Sequence, residues 1–292
     1  MRRDGMTRAA AVLLVTGAAA LGLYRSWLKR SGAARPERVG YPPLGTPKYI
    51  DDGLWIVDDT MVASGLSLPI RMTVLRLEDG SLLLHSPTTH TPALEASLNA
   101  LGTVRHLVAP GTAHWTHLTE WQKVFPQATT WAVPGLRNRL QVRLSGVRID
   151  RDLGDREPAE WQPSLSQGLI RGAGFCESFL FHVPSRTLIL CDTIQNLVPS
   201  KLPPVTRFAA QAACGTEGKT AHHVRMALRL GGHDARANID AMLRLQPERV
   251  LFAHGDPFEH DAAARLWRAF AWMDEKESDP ARSFSRLTRR RP

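Results

Sequence analysis

The order of patterns along this 292-residue chain predicts a layered α/β architecture. Three observations carry that prediction. Short apolar runs alternate with segments of helical spacing from Asp52 onward, two hairpin signals interrupt them, and several apolar runs end on a histidine or an aspartate. "GLWIVDD" reads as a first strand. "RMTVLRLEDGSLLLHSP" alternates apolar residues around Asp79-Gly80, a hairpin signal. "TPALEASLNALG" has helical spacing, with Thr91 or Pro92 at the start and Gly102 at the stop. "VRHLVAP" is a short buried strand, "HLTEWQKVFP" a helix ended by Pro126, and "TTWAVP" another strand. Residues 136–168 are polar and irregular and yield no assignment. "ESFLFHV" and "RTLILCD" then form a second hairpin around Pro184-Ser185. Helical segments follow near 220–230 and 234–246, then the strand "RVLFAHG" and a closing amphipathic helix from about Asp261 to Lys276.

Composition limits the function classes. Hydrophobic residues make up 43% and charged residues 22%, so the chain can bury a core and is not disordered as a whole. The net charge of +9 collects at the ends, in "MRRDGMTR", "YRSWLKRSGAARPER" and "RLTRRRP". Basic ends suit membrane headgroups or solvated tails better than a nucleic-acid-reading face, so no nucleic-acid partner is expected. Cys176, Cys191 and Cys214 form no C-x-x-C pattern and read as buried or incidental thiols, with a reducing compartment mildly favoured.

Residues 9–24, "AAAVLLVTGAAALGLY", are an uncharged run between arginines. The run lies between a signal-peptide core and a membrane span in length. More basic residues follow it (Arg25, Lys29, Arg30, Arg35, Arg38) than precede it (Arg2, Arg3, Arg8), which favours an uncleaved anchor with a cytoplasmic domain. Cleavage near Ala18–Ala20, with a secreted or periplasmic domain, stays open, as does a buried Ala-rich helix. The expected organisation is an anchor or signal-like segment at 1–30, a Pro/Gly-rich linker at 31–50, one domain at 51–277 and a basic tail at 278–292.

The polar chemistry collects at strand ends. "VRHLVAP" leads to His114 and His117, "RTLILC" to Asp192, "RVLFA" to His254 and "SLLL" to His85. In open α/β sheets the loops beyond strand ends converge on one rim, where ligands bind. Imidazole nitrogens with a carboxylate suit Zn, or Fe or Mn with more oxygens. Each residue also has a plainer role. His114 would cap the following helix, His117 would be solvated, and Asp192 would accept from turn amides. For His254, delivered by an apolar strand into a Gly turn, the plain account is weakest.

The opening hairpin, "HLVAPGTAHWTHLTEW", "TLILCDT" and "LFAHGDP" together resemble the metallo-β-lactamase fold superfamily, over roughly residues 52–275. The resemblance is narrower to an uncharacterised branch of it, a domain of unknown function. It implies a four-layer αββα sandwich with a metal site along one sheet edge. The family motif H-x-H-x-D-H falls on Thr112, His114, Thr116 and His117, so two of four ligands are threonine here. "GAGFCES" lacks the further family histidine, although it offers Cys176 and Glu177. Asp192 falls on the bridging aspartate and His254 on the last histidine. The implied site is therefore mononuclear: His117, Asp192 and His254 as metal ligands, with His114 and Asp192 in catalytic roles. The expected cofactor is one Zn, Fe or Mn ion, or none.

Two functions follow. One is a single-metal hydrolase acting on an ester, lactone, amide or phosphoester of a small molecule. The other is a non-catalytic, membrane-tethered binding or scaffold module with a degenerate metal site. An iron oxidoreductase fits poorly, because such sites usually need more carboxylates. Trp115, Trp121 and Trp161 read as core residues or as pocket walls.

Overall fold

The computed structural model describes residues 35–274. In chain order, α1 (Pro36–Val39) and β1 (Lys48–Asp51) precede the long strands β2 (Leu54–Ala63) and β3 (Leu66–Arg76). Next come β4 (Ser81–His85), α2 (Pro92–Leu101), β5 (Thr103–Ala109), α3 (Leu118–Val124) and β6 (Thr129–Ala132). α4 (Leu140–Ser145) and β7 (Arg151–Asp152) complete the first half. The second half contains β8 (Leu165–Gly172), β9 (Phe175–His182), β10 (Thr187–Leu190), α5 (Pro204–Ala212), α6 (His222–Leu230), α7 (Gly232–Leu243), β11 (Arg249–Phe252) and α8 (Ala262–Phe270).

The strands form two sheets. β1 to β7 lie in sequential order in one, and β11-β10-β9-β8 make the other. Period-2 alternation divides the second sheet between two cores. Leu165, Leu169, Leu180, Ile189 and Leu251 enter the core shared with the first sheet. Their neighbours Ile170, Phe179, Phe181, Leu188, Leu190, Val250 and Phe252 pack instead with Val224 and Leu228 of α6, Ile239 and Met242 of α7, and Leu266 and Phe270 of α8. Leu94 and Leu98 of α2 and Leu118 and Trp121 of α3 join the core of the first sheet. The architecture is the expected four-layer αββα sandwich.

Local signals account for the elements that were legible. Thr91 Oγ1 accepts from the Leu94 amide as the α2 cap, and Gly102 ends the helix. The Asp79-Gly80 turn joins β3 and β4 antiparallel, with Gly80 at φ 80°. The Pro184-Ser185 hairpin joins β9 to β10. The irregular region holds α4 and β7, and β8 begins at its end. α5 was not foreseen either. The closing helix is shorter than expected, as α8 gives way to a 3-10 turn at Ala271–Met273.

The stretch read as a linker needs correction from residue 36 onward. α1 and β1 lie within it, and Val39 is fully buried against Leu197 and Leu202. Composition rich in Pro and Gly concealed a segment held by tertiary contacts rather than by periodicity. The expected anchor at 9–24 and the basic tail at 278–292 lie outside the described residues. Among the described residues, no helix is long and apolar enough to cross a membrane.

Candidate metal centre

β4, β5 and β6 run parallel in one sheet and β10 and β11 run parallel in the other, so each set delivers its C-terminal loops to one edge. The two edges are joined there. The Ser178 amide donates to the Pro110 carbonyl at 2.7 Å, and Gly111 bridges to Glu177. At this junction His114, Asp192 and His254 each turn one ligand atom into a common space, all within 4.8 Å of one another. Such a group could hold a metal ion. His114 Nε2 lies 3.3 Å from Asp192 Oδ2, and His254 Nε2 lies 3.4 Å from Asp192 Oδ1.

Both imidazoles are anchored through their other nitrogen. His114 Nδ1 is 2.7 Å from Ser86 Oγ, and His254 Nδ1 donates to the Pro69 carbonyl at 2.8 Å. The Asp192 loop is held from beneath by Glu177, a fully buried carboxylate on β9. It accepts from the amides of Cys191, Asp192 and Thr193 at 2.9, 2.7 and 2.8 Å. Burial and the neighbouring Asp192 carboxylate push Glu177 up to about 7, against the pull of those donors. Burial also works against the charge of Asp192, yet His114 and His254 hold its carboxyl well below the usual range. Burial likewise disfavours the His254 imidazolium, but Asp192 and the Pro69 carbonyl outweigh it and raise that pKa.

A buried ion pair fixes the His254 turn. Asp58 and Arg71 face each other across the β2–β3 register and contact at 2.8 Å. Arg71 Nη1 donates to the carbonyls of Phe252 and Gly255 at 3.0 and 2.8 Å, and Lys48 adds a second cation to Asp58 at 2.5 Å. Gly255 is required at this turn. Its φ is 102°, and a Cβ there would meet the Asn196 carbonyl oxygen at 2.0 Å.

The sequence expectation and the structure differ in one member of the set. His114 joins Asp192 and His254, whereas His117 stands outside the cluster at the position before α3. It makes no side-chain cap and approaches Glu120 at 3.6 Å. The reason is the turn at residues 112–117, which precedes α3 and turns His114 towards Ser86 and Asp192. Thr116 is exposed. His85 is fully buried behind His114. Burial first, and His114 second, press it down to about 3, so its ring stays neutral. Neither Cys176 nor Glu177 joins the cluster; burial pushes the Cys176 thiol up to about 11. Trp121 and Trp161 are fully buried core residues. The supporting residues Ser86, Pro69, Glu177 and Arg71 were not identified in their roles. One signal was present for Arg71, a charge inside an apolar strand opposite Asp58.

The comparisons with known proteins agree with this fold. A family described as "Domain of unknown function (DUF4336)" matches residues 51–229, and the chain belongs to it. Solved structures of metallo-β-lactamases share the fold at low identity. The enzyme from Pontibacter korlensis matches at TM-score 0.52 and 11% identity, over 77% of this chain and 98% of its own. FIM-1 from Pseudomonas aeruginosa, in its mono-zinc form, matches at TM-score 0.52 and 12% identity, over 80% and 96%. The DIM-1 metallo-β-lactamase matches at TM-score 0.53 and 11% identity, over 78% and 96%. No curated protein matches the sequence at a significant level.

Proposed function

We propose that this member of the DUF4336 family is a single-metal hydrolase whose ion is held by His114, Asp192 and His254. One observation carries the reading. The Pro69 carbonyl can only accept, so the neutral His254 ring must keep its proton on Nδ1. Its Nε2 lone pair then faces Asp192 Oδ1, another lone pair, at 3.4 Å. That opposition needs a positive charge between the two atoms, and a divalent cation supplies one. The donor set fits in kind: two imidazole nitrogens and a carboxylate oxygen are ordinary Zn ligands, and one such atom from each residue lies within 4.8 Å of the others.

Such an ion, when bound, lowers the pKa of water and polarises the carbonyl or phosphoryl group of an ester, lactone, amide or phosphoester. The protein's own groups set the site up for it. The Pro69 carbonyl fixes the His254 tautomer, and Ser86 Oγ orients His114. Glu177, with three amide donors, clamps the loop that carries Asp192. The mono-zinc form of FIM-1 supports the reading that one ion can occupy a site on this fold.

A second reading, a non-catalytic binding or scaffold module tethered through residues 9–24, draws support from the same contact. With His254 as the imidazolium, the proton itself satisfies Asp192 and no metal is needed. Metal analysis of untagged protein separates the two. The hydrolase reading expects close to one equivalent of Zn, Fe or Mn, lost in His254→Ala. Less than about a tenth of an equivalent after reconstitution leaves the scaffold reading. Full-length chain with an intact N-terminus, recovered wholly in the soluble fraction, would count against the tether.

A further inference from the structure

Beside the metal centre lies a cavity of about 320 Å³, walled by Thr112, Leu136, Arg139, Arg171, Phe175 and Cys176 among others. Two of its walls adjoin the centre along the chain. Thr112 is two residues from His114, and Cys176 directly precedes Glu177, whose strand bridges to Gly111. The resemblance expects one ligand histidine at the position of Thr112 and another in the stretch around Cys176, and this sequence has neither. Two guanidinium groups line the cavity and no carboxylate does. Arg171 is partly neutralised by an ion pair with Asp155, which lies outside the lining. Among the described residues Arg139 makes no ion pair with a carboxylate; its side-chain contact is a long one, 3.4 Å, from Nη2 to the carbonyl of Gly174, another wall of the cavity. An arginine whose fork is committed only to one stretched bond retains donors for an anion, and a planar guanidinium matches carboxylate and phosphate oxygens in pairs. Leu136 and Phe175 add apolar wall against which the carbon skeleton of a ligand can pack.

We infer that this cavity is the subsite for a compact anionic group, carboxylate or phosphate, of the molecule processed at the adjacent centre, with Arg139 as its specificity-determining residue. The inference rests on the hydrolase reading for the word "substrate", but the anion site itself does not depend on metal. A substrate so held carries its negative charge on the Thr112–Cys176 side, with its reactive bond towards His114, Asp192 and His254. The reading therefore excludes neutral lipids and neutral esters as preferred substrates.

The test is calorimetric titration of the metal-free full chain at low ionic strength with two probes, inorganic phosphate and succinate. Saturable binding of at least one probe is expected, weakened about tenfold or more in Arg139→Gln. The same binding should survive in His254→Ala, because the anion subsite is distinct from the metal ligands. Which probe binds more tightly identifies the group. Absence of saturable binding by both probes overturns the inference, as does equal affinity in Arg139→Gln or loss of binding only in His254→Ala. Arg139 is exposed, so its variant should fold, and an unchanged thermal midpoint checks this. Metal content is read separately, so a chain that binds anion but no metal refutes the hydrolase and leaves the anion site standing.

Discussion

Two turns bring histidines to the same rim, and they are built very differently. The turn after β11 carries His254 and is held by buried charge. Arg71 bonds two of its carbonyls, Asp58 balances Arg71, and Asn196 closes against Gly255 so tightly that no side chain would fit. The turn after β5 carries His114 and His117, and its outer residues Ala113 and Thr116 are exposed. Within it only His114 is drawn into the rim, through Ser86, while His117 faces Glu120 at a distance too long for a firm bond. The difference teaches which histidine the fold commits to the site: the one whose second nitrogen is engaged by the scaffold.

Breaking the stronger turn should have the largest effect. Arg71→Met leaves Asp58 buried with only Lys48 and strips the Phe252 and Gly255 carbonyls of their donor. Removing one partner of a buried pair costs about 3–5 kcal/mol, so the denaturation midpoint should fall steeply. A loss under about 1 kcal/mol, the range of a surface ion pair, would mean that the His254 turn does not depend on this arginine. On the weaker turn, Ser86→Ala frees His114 Nδ1 and should lower metal affinity about 10–100-fold, the usual cost of losing a group that orients a ligand. A competition titration against a chelator measures it, and unchanged affinity would place His114 outside the ion's ligands.

How much of this was legible beforehand follows from what sets each feature. The two hairpins, α2 and the parallel strands were legible because local turn chemistry and apolar periodicity specify them. The rim was legible because strands with continuous apolar runs, such as "TLIL" and "RVLF", announce where they end, and Asp192 and His254 lie just beyond. The choice between His114 and His117 was not. Spacing places both near the rim, but orientation depends on Ser86, 28 residues earlier, and on how the 112–117 turn meets the second sheet. Glu177 illustrates the same limit. Its sequence position suggested a ligand, whereas three backbone amides from a loop 14 to 16 residues away make it a clamp.

The clamp and the His254 turn together predict a pH dependence of the metal-free protein. Glu177 is raised to about 7 from its ordinary 4.5, so between those values the folded state holds a proton that the unfolded chain has released. His254 is raised above 6.5, so it too binds its proton more tightly when folded. Both signs agree. Each therefore contributes stability that is lost as pH rises through this range, whereas His85, His106 and His182, whose imidazolium forms are disfavoured by burial, contribute in the opposite sense below about 6.5. The Glu177 part, read as the difference in pH dependence between the wild type and Glu177→Gln, should be a drop on the order of 1–3 kcal/mol between about pH 5 and 8. Bound metal should flatten the His254 part by replacing its proton. A metal-free wild type whose stability falls no more over that window than that of Glu177→Gln would contradict the Glu177 environment.

The smallest effect is the most discriminating for the comparison. His117 packs no second nitrogen against the scaffold, lies outside the cluster and is partly exposed beside Glu120. His117→Ala should therefore change stability by no more than about 0.5 kcal/mol, as for an ordinary surface substitution, and should leave metal content at the wild-type value. The turn that carries it would then contribute one ligand, His114, and no more. If His117→Ala instead released the ion, the turn would have to rearrange on metal binding. The set His117, Asp192 and His254, expected from sequence, would then describe the loaded protein.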